Sequence, residues 1–65
     1  MRILVNGASR EVSATDLAAA LEELGYGGAV VATAVNGEFV PTAARQTARL
    51  AEGDRVEVLA PMQGG

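Results

Sequence analysis

The sequence predicts an α+β fold in which one main helix packs across one face of a mixed sheet of four to five strands. Three observations support this fold. Residues 2–6 and 55–60 alternate in polarity like strands, residues 17–24 carry apolar side chains at helical spacing, and Asn-Gly pairs stand at 6–7 and 36–37. The 65 residues are enough for one domain.

The N-terminal segment predicts a β-hairpin. Residues 2–6 are rich in branched apolar side chains and predict the first strand. Asn6-Gly7 is a strong turn signal, and residues 10–13 predict a short return strand. The pattern leaves open whether the loop is longer than two residues.

A helix follows this hairpin. Ser13 or Thr15 is the predicted N-cap, and Ser13 with Asp16 resembles a capping box that uses Asp in place of Glu. Gly25 is the predicted C-terminal stop. The apolar positions follow the spacing i, i+3, i+4 and i+7, and they are Leu17, Ala20, Leu21 and Leu24. Acidic residues predicted to face solvent are Asp16, Glu22 and Glu23.

The second half predicts another hairpin and the last strand. Residues 29–35 and 38–40 predict strands joined by Asn36-Gly37, with Pro41 ending the second. Residues 42–51 fit either a short helix or irregular turns with one small strand, and Leu50 is expected to enter the core. Residues 52–54 predict a turn before the last strand.

The first and last strands are both candidates for the centre of the sheet. If they are neighbours they must be parallel, because a helix and a hairpin lie between them in the chain. This arrangement is the β-grasp fold. Strand alternation then directs one set of side chains towards the helix, namely Ile3, Val5, Val56 and Val58. The opposite set is Arg2, Leu4, Asn6, Arg55, Glu57 and Leu59.

Large apolar side chains on the open face of the sheet are candidates for partner docking. Leu4 and Leu59 are predicted there, and either Phe39 or Val40 joins them, because the register does not decide which. The alternative is that scattered surface leucines have no function, as is common in soluble proteins.

Composition excludes several classes of function. The chain has no Cys and no His, so it lacks disulfides, Cys/His zinc ligation, a Cys nucleophile and a Ser-His pair. No catalytic residue and no metal site are expected. The net charge of −3 argues against nucleic acid as a partner. No signal peptide or membrane-length apolar stretch is visible, so a cytoplasmic protein is expected.

The sequence ends in Gly64-Gly65 after the spacer Pro61-Met62-Gln63. Glycine has no side chain and a permissive backbone, so such an end can enter a narrow channel and present its carboxylate. We therefore expect one domain over residues 1–65 with a flexible tail from about residue 61. The alternative for the dipeptide alone is a frayed end without function.

Four sequence blocks together resemble a known family. Residues 1–7, 35–41, 52–58 and 61–65 closely resemble the small sulfur carriers of bacterial thiamine biosynthesis, the ThiS type, which have a ubiquitin-like β-grasp fold. The resemblance runs from end to end. Thr42 and Arg45 depart from the family pattern, which often has a basic residue and then an aromatic there, so the loop over residues 42–49 is expected to pack or dock differently.

The resemblance implies that the chain is a protein co-substrate and not an enzyme. An E1-like adenylyltransferase, using ATP and Mg, would adenylate the Gly65 carboxylate. A persulfide protein would supply sulfur to form a thiocarboxylate, and thiazole synthase would receive that sulfur. Gly64, Gln63 and Met62 would thread the partner's channel, and docking would involve Leu59, Leu4 and Phe39. The chain itself would bind no cofactor.

Three other functions share these features. A molybdopterin-pathway sulfur carrier has the same fold and tail chemistry. A ubiquitin-like protein modifier would use Gly65 to join lysines. A non-covalent β-grasp binding module would not need the tail. An enzyme is the class that the residues support least, because the sequence shows no acid/base pair and no constellation of residues that would activate a nucleophile.

Overall fold

Five strands form one mixed sheet, and the computed structural model describes residues 1–60. The strands are β1 (Arg2–Val5), β2 (Ala8–Glu11), β3 (Ala32–Val35), β4 (Glu38–Val40) and β5 (Arg55–Leu59). Their order across the sheet is β2-β1-β5-β3-β4, with β1 and β5 parallel and the other neighbours antiparallel. The predicted β-grasp arrangement, with the first and last strands paired at the centre, is confirmed.

The first hairpin is tighter than the sequence predicted. Asn6 and Gly7 have φ values of 50° and 86°, which is typical of the two-residue turns that suit twisted strands. Val5 therefore pairs directly with Ala8. The predicted return strand over residues 10–13 is wrong by two residues at each end, because this turn needs no additional loop residue.

The N-cap of helix α1 (Leu17–Glu23) lies one residue after Thr15 and three residues after Ser13, the two predicted caps. The N-cap is Asp16, which is extended (φ −128°, ψ 164°) and accepts a hydrogen bond at Oδ1 from the backbone N–H of Ala19 at 2.8 Å. The predicted caps at Ser13 and Thr15 are wrong. No helix within residues 1–60 is both long and apolar enough to span a bilayer.

Glu23 explains why Ser13 has a different role. Its carboxylate accepts hydrogen bonds from the backbone N–H groups of Ser13, at 2.8 and 3.0 Å, and of Ala14, at 3.0 Å. The last residue of the helix thus holds the segment that leads into its start. The prediction that Glu23 is simply a solvated charge was incomplete, because the side chain is exposed and also bonded to the backbone.

The end of α1 agrees with the sequence prediction. Gly25 has a φ of 96°, its N–H donates to the Glu22 carbonyl at 3.1 Å, and the N–H of Tyr26 donates to the Leu21 carbonyl at 2.8 Å. This pair of bonds is the Schellman motif, which satisfies carbonyls at a helix end and favours glycine in the left-handed conformation.

The core lies between α1 and one face of the sheet. Its fully buried side chains include Ile3, Leu17 and Val56. The complete set of buried apolar residues is Ile3, Val5, Val12, Leu17, Ala20, Leu21, Leu50, Val56 and Val58. The predicted alternation of β1 and β5 and the predicted burial of Leu50 are confirmed.

Strand β3 is shorter than the predicted strand over residues 29–35. Its ladder with β5 begins at the pair Ala32–Leu59, and its ladder with β4 begins at Thr33–Val40. The N–H of Ala29 donates instead to the Tyr26 carbonyl at 2.9 Å, which places the residues before β3 in a turn. Residues 29–31 are apolar, but they lie beyond the ends of both ladders and are therefore not part of the strand.

Residues 42–51, for which the sequence allowed two structures, contain both a short helix and a strand-like bridge. A six-residue 3-10 helix (Thr42–Thr47) follows Pro41, and Arg49 then forms a single antiparallel bridge with Asp16. The connection ends at buried Leu50, whose N–H donates to the Thr15 carbonyl at 2.9 Å.

Arg45 joins the 3-10 helix to β3. Its Nε donates to Thr33 Oγ1 at 3.0 Å and its Nη2 donates to the Val31 carbonyl at 2.5 Å. Thr33 is buried and donates its hydroxyl to the Val40 carbonyl at 2.8 Å. Arg45, one of the two departures from the family pattern, therefore has an internal structural role.

Alternation of β1 predicts unequal effects of truncating adjacent side chains. Ile3→Ala should lower the free energy of unfolding by about 2–5 kcal/mol because it leaves a cavity in the core. Leu4→Ala, one residue along on the open face, should lower it by less than about 1 kcal/mol. Urea unfolding of both variants measures the difference, and equal losses would contradict the described orientation of β1.

The contacts of Arg45 predict a second difference. Arg45→Ala should lower the free energy of unfolding by about 2 kcal/mol, because it removes charged donors from the Thr33 hydroxyl and the Val31 carbonyl. Arg49→Ala is the matched control and should change it by less than about 0.5 kcal/mol, since exposed Arg49 makes one side-chain contact of 3.4 Å with Thr15. Denaturant midpoints that fall equally in the two variants would refute an anchoring role for Arg45.

Candidate functional site

The central strand β5 leads towards the predicted reactive end of the chain. Val56 and Val58 point into the core, whereas Leu59 is 69% exposed. Ala60 is the last described residue. The predicted site residues Met62, Gln63, Gly64 and Gly65, and the predicted flexible tail, lie outside the described residues. The described part of the candidate site is therefore the end of β5 and the open face around it.

The open face of the sheet carries the residues that alternation assigned to it. All six of them are exposed, namely Arg2, Leu4, Asn6, Arg55, Glu57 and Leu59. The core lies on the other face of β1 and β5, as their alternating burial shows. One side of the central strands thus stabilises the fold, and the other is available for contact.

The register decides which residue of β4 reaches the open face. Phe39 pairs with Ala34, while Val40 pairs with Thr33, which is buried. Since neighbours in register share a face, Phe39 lies on the open face with 69% exposure and Val40 packs against the core. The choice that the sequence left open between these two residues is settled for Phe39.

Phe39 and Leu59 line one shallow depression. Ala32 and Ala34 of β3 lie between them, so two small side chains form the floor and two large ones form the walls. The volume of this Phe39–Leu59 depression is about 130 Å³. One of its walls, Leu59, immediately precedes Ala60 in the chain, which makes the depression a candidate contact for a protein that receives the following residues.

Leu4 belongs to a different part of the open face. It is 36% exposed and pairs with Arg55, four residues before Leu59 and so about 13 Å away along β5. It lines a second depression together with Asn6, Gly7, Gly37, Arg55, Val56 and Glu57. Glu57 lines both depressions. The three predicted docking residues share a face, but Leu4 lines one depression and Phe39 and Leu59 line the other.

The asparagines of the two Asn-Gly turns also bind β5 through their side chains, which the sequence did not predict. Asn6 donates from Nδ2 to the Val58 carbonyl at 3.1 Å and accepts at Oδ1 from the Val58 N–H at 2.9 Å. Asn36 accepts at Oδ1 from the Arg55 N–H at 3.0 Å and donates from Nδ2 to Asp54 Oδ1 at 3.0 Å. The sequence offered one signal for these contacts, which is that both turns have Asn at a position where glycine also fits.

The charged and polar side chains of the described residues are few on the open part of β5. Arg55 and Glu57 are the charged side chains of the open part of β5, and the sequence has neither Cys nor His to act as a nucleophile or proton carrier. Within residues 1–60, every buried side-chain nitrogen and oxygen has a hydrogen-bond partner.

A larger concavity lies elsewhere, between α1 and the 3-10 helix. It is an open groove of about 510 Å³, and Glu22, Tyr26 and Arg45 are among its lining residues. Arg45 is already bonded to Thr33 and Val31. None of the predicted docking residues lines this groove.

Comparisons with known proteins agree on one family. The model of the ThiS family matches residues 3–65. The crystal structure of the thiamine biosynthesis protein ThiS from Geobacter metallireducens is similar, with 30% identity, full coverage of both chains and a TM-score of 0.83. A solution structure of a thiamine biosynthesis protein from the same organism has 29% identity and a TM-score of 0.79, covering 100% of this chain and 88% of the other. No curated protein sequence matches this chain. The family match spans nearly the whole sequence and the fold agrees with it, so the chain belongs to the ThiS family.

Proposed function

We propose that this protein is a sulfur carrier for thiazole formation in thiamine biosynthesis, with the Gly65 carboxylate as the site of modification. The observation that carries the proposal is the family match over residues 3–65, which includes Gly64-Gly65. The named similarity to ThiS from Geobacter metallireducens supports the thiamine pathway over the molybdopterin pathway. The open face of the sheet supplies a surface on which partners can dock.

The chemistry takes place at the chain end. A carboxylate is a poor electrophile, because a nucleophile must add to a group that is already negative. Attack of the Gly65 carboxylate on the α-phosphorus of ATP would expel pyrophosphate and form an acyl adenylate. The terminal sulfur of a persulfide would then add to the carbonyl carbon and displace AMP. A thiol would then attack the donor's sulfur in the resulting acyl disulfide, which forms a disulfide with the donor and releases the thiocarboxylate.

The proposed partners would activate the carboxylate, donate the sulfur and accept it. An E1-like adenylyltransferase would bind ATP and Mg, a persulfide protein would donate sulfur, and thiazole synthase would accept it. The chain itself would act as a co-substrate in the cytoplasm without a bound cofactor. Docking of a folded domain would orient the reactive carboxylate and so replace random encounter.

The Phe39–Leu59 depression is the proposed contact for these partners. Both of its large side chains are 69% exposed, and Leu59 is separated from the chain end only by residues 60–64. Burying two such side chains in an interface is worth about 1.5–3 kcal/mol each. Leu4 would add contact area at the other end of the open face.

The proposed chemistry predicts a change of mass on the intact protein. Incubation with the activating enzyme, ATP and a persulfide donor should exchange one oxygen for one sulfur. Gly65→Ala should fold normally and acquire sulfur at least about tenfold more slowly, because a methyl group obstructs a narrow channel. Intact-mass spectrometry follows the modification, and urea unfolding checks the fold. Rapid sulfur transfer to the alanine variant would contradict a narrow channel.

Deletion of Gly64 and Gly65 distinguishes the proposed carrier from a non-covalent binding module and from a protein modifier. The shortened chain should acquire no sulfur. A partner that binds it with unchanged affinity and still functions would favour a non-covalent binding module. Conjugates on lysines of other proteins that depend on Gly65 would favour a protein modifier.

The docking contact predicts a loss of affinity. Leu59→Asp should weaken binding to at least one partner by about tenfold, because a charge then replaces a buried apolar anchor. Ala19→Asp is the matched control, since it introduces the same charge at an exposed position of α1. Isothermal titration of both variants with the adenylyltransferase and with thiazole synthase measures the effect. Unchanged affinity for both partners would remove Leu59 from the docking surface.

A further inference from the structure

We propose that Asn6 is a positioning residue that holds the end of β5 at the angle required for presenting the reactive tail. This inference rests on the proposed function. The observation that carries it is the pair of hydrogen bonds between the side-chain amide of Asn6 and the backbone of Val58, across 52 residues of sequence.

The bonds of Asn6 continue a ladder that the backbone of β1 cannot continue. Leu4 N–H donates to the Asp54 carbonyl at 2.9 Å, and Asn6 N–H donates to the Val56 carbonyl at 2.9 Å. In a regular parallel ladder, the next bonds would join Val58 to the Asn6 carbonyl and to the N–H of residue 8. Ala8, however, already belongs to β2 and pairs with Val5.

The Asn6 side chain supplies both missing partners. Its Oδ1 takes the place of the backbone carbonyl towards the Val58 N–H, and its Nδ2 takes the place of the next N–H towards the Val58 carbonyl. On the other edge of β5, Val58 pairs with Thr33 of β3. Both backbone hydrogen-bonding groups of Val58, two residues before Ala60, are therefore bonded to Asn6.

The position restricts which residue can do this. The φ of 50° at Asn6 favours Asn, Asp or Gly. Asp offers the acceptor but no donor when it is ionised, and Gly offers neither. Asparagine is the residue that combines this backbone conformation with one donor and one acceptor on a short side chain.

Asn36 is a matched control for Asn6 within the same chain. It occupies the same position of an equivalent turn, with a φ of 51°, and its side chain also bonds to β5. Its contacts are at Arg55 and Asp54, at the start of the strand. If the two turns have only a structural role, replacing either asparagine should have similar effects on sulfur loading. If Asn6 positions the tail, only its replacement should slow sulfur loading.

The test compares Asn6→Gly with Asn36→Gly in the full chain. Both variants keep the turn, because glycine accepts positive φ. We expect similar urea midpoints for the two. Asn6→Gly should lower kcat/KM for sulfur loading by the adenylyltransferase by about ten- to a hundredfold, mainly in kcat, because misplaced reactants react slowly even when docked. For Asn36→Gly, kcat/KM for sulfur loading should stay within about threefold of the wild-type value, because the contacts of Asn36 lie at the start of β5.

Hydrogen exchange gives a readout at the site itself. The Val58 amide should exchange at least about tenfold faster in Asn6→Gly than in Asn36→Gly, because a lost hydrogen bond raises local opening. Asn6→Asp retains the acceptor for this amide and should fall between the wild-type chain and Asn6→Gly in both exchange and loading. It also serves as the test variant if Asn6→Gly does not fold.

The outcomes separate the two proposals. If the wild-type chain acquires sulfur and Asn6→Gly does so with the same kcat/KM as Asn36→Gly, the positioning role is overturned and the carrier function stands. If the folded wild-type chain acquires no sulfur, the carrier function fails and the positioning role fails with it. Equal exchange of Val58 in the two glycine variants would also overturn the role of Asn6.

Discussion

The parallel pairing of β1 with β5 is the constraint on which the rest of the structure depends. Parallel strands cannot be joined by a tight turn, so α1 and the second hairpin must form the crossover between them. Their pairing places the apolar side chains of both strands on one face, where α1 covers them. It also leaves β5 in the middle of the sheet, with β1 on one side and β3 on the other.

Side-chain bonds to the backbone supplement a small core. A domain of this size buries a limited share of its apolar surface. Glu23 holds the entry into α1, Arg45 holds the 3-10 helix to β3, and the two turn asparagines hold β5. Each of these polar side chains satisfies backbone groups where a regular ladder or helix ends, because unsatisfied groups there would destabilise the fold. The polar residues thus complete the secondary structure.

This separation between the two faces of the sheet suits the proposed role as a carrier. The face of the sheet that contacts α1 stabilises the domain, and the opposite face exposes Phe39 and Leu59 near the end of the central strand. A reactive chain end attached to such a body would gain its orientation from docking and from the angle at which β5 leaves the sheet, which is where Asn6 makes its contacts.

The sequence by itself determined the features that depend on neighbours in the chain. These were the apolar stripe of α1, the Gly25 stop, both Asn-Gly turns and the alternation of β1 and β5, and the spacing of sequence blocks indicated the family. Tertiary structure alone decided where ladders start and stop, so it shortened β3 to Ala32–Val35, selected Phe39 over Val40 for the open face and separated Leu4 from Leu59. It also joined Asn6 to Val58, because contacts across 52 residues follow from the folded pairing of strands and leave no local pattern.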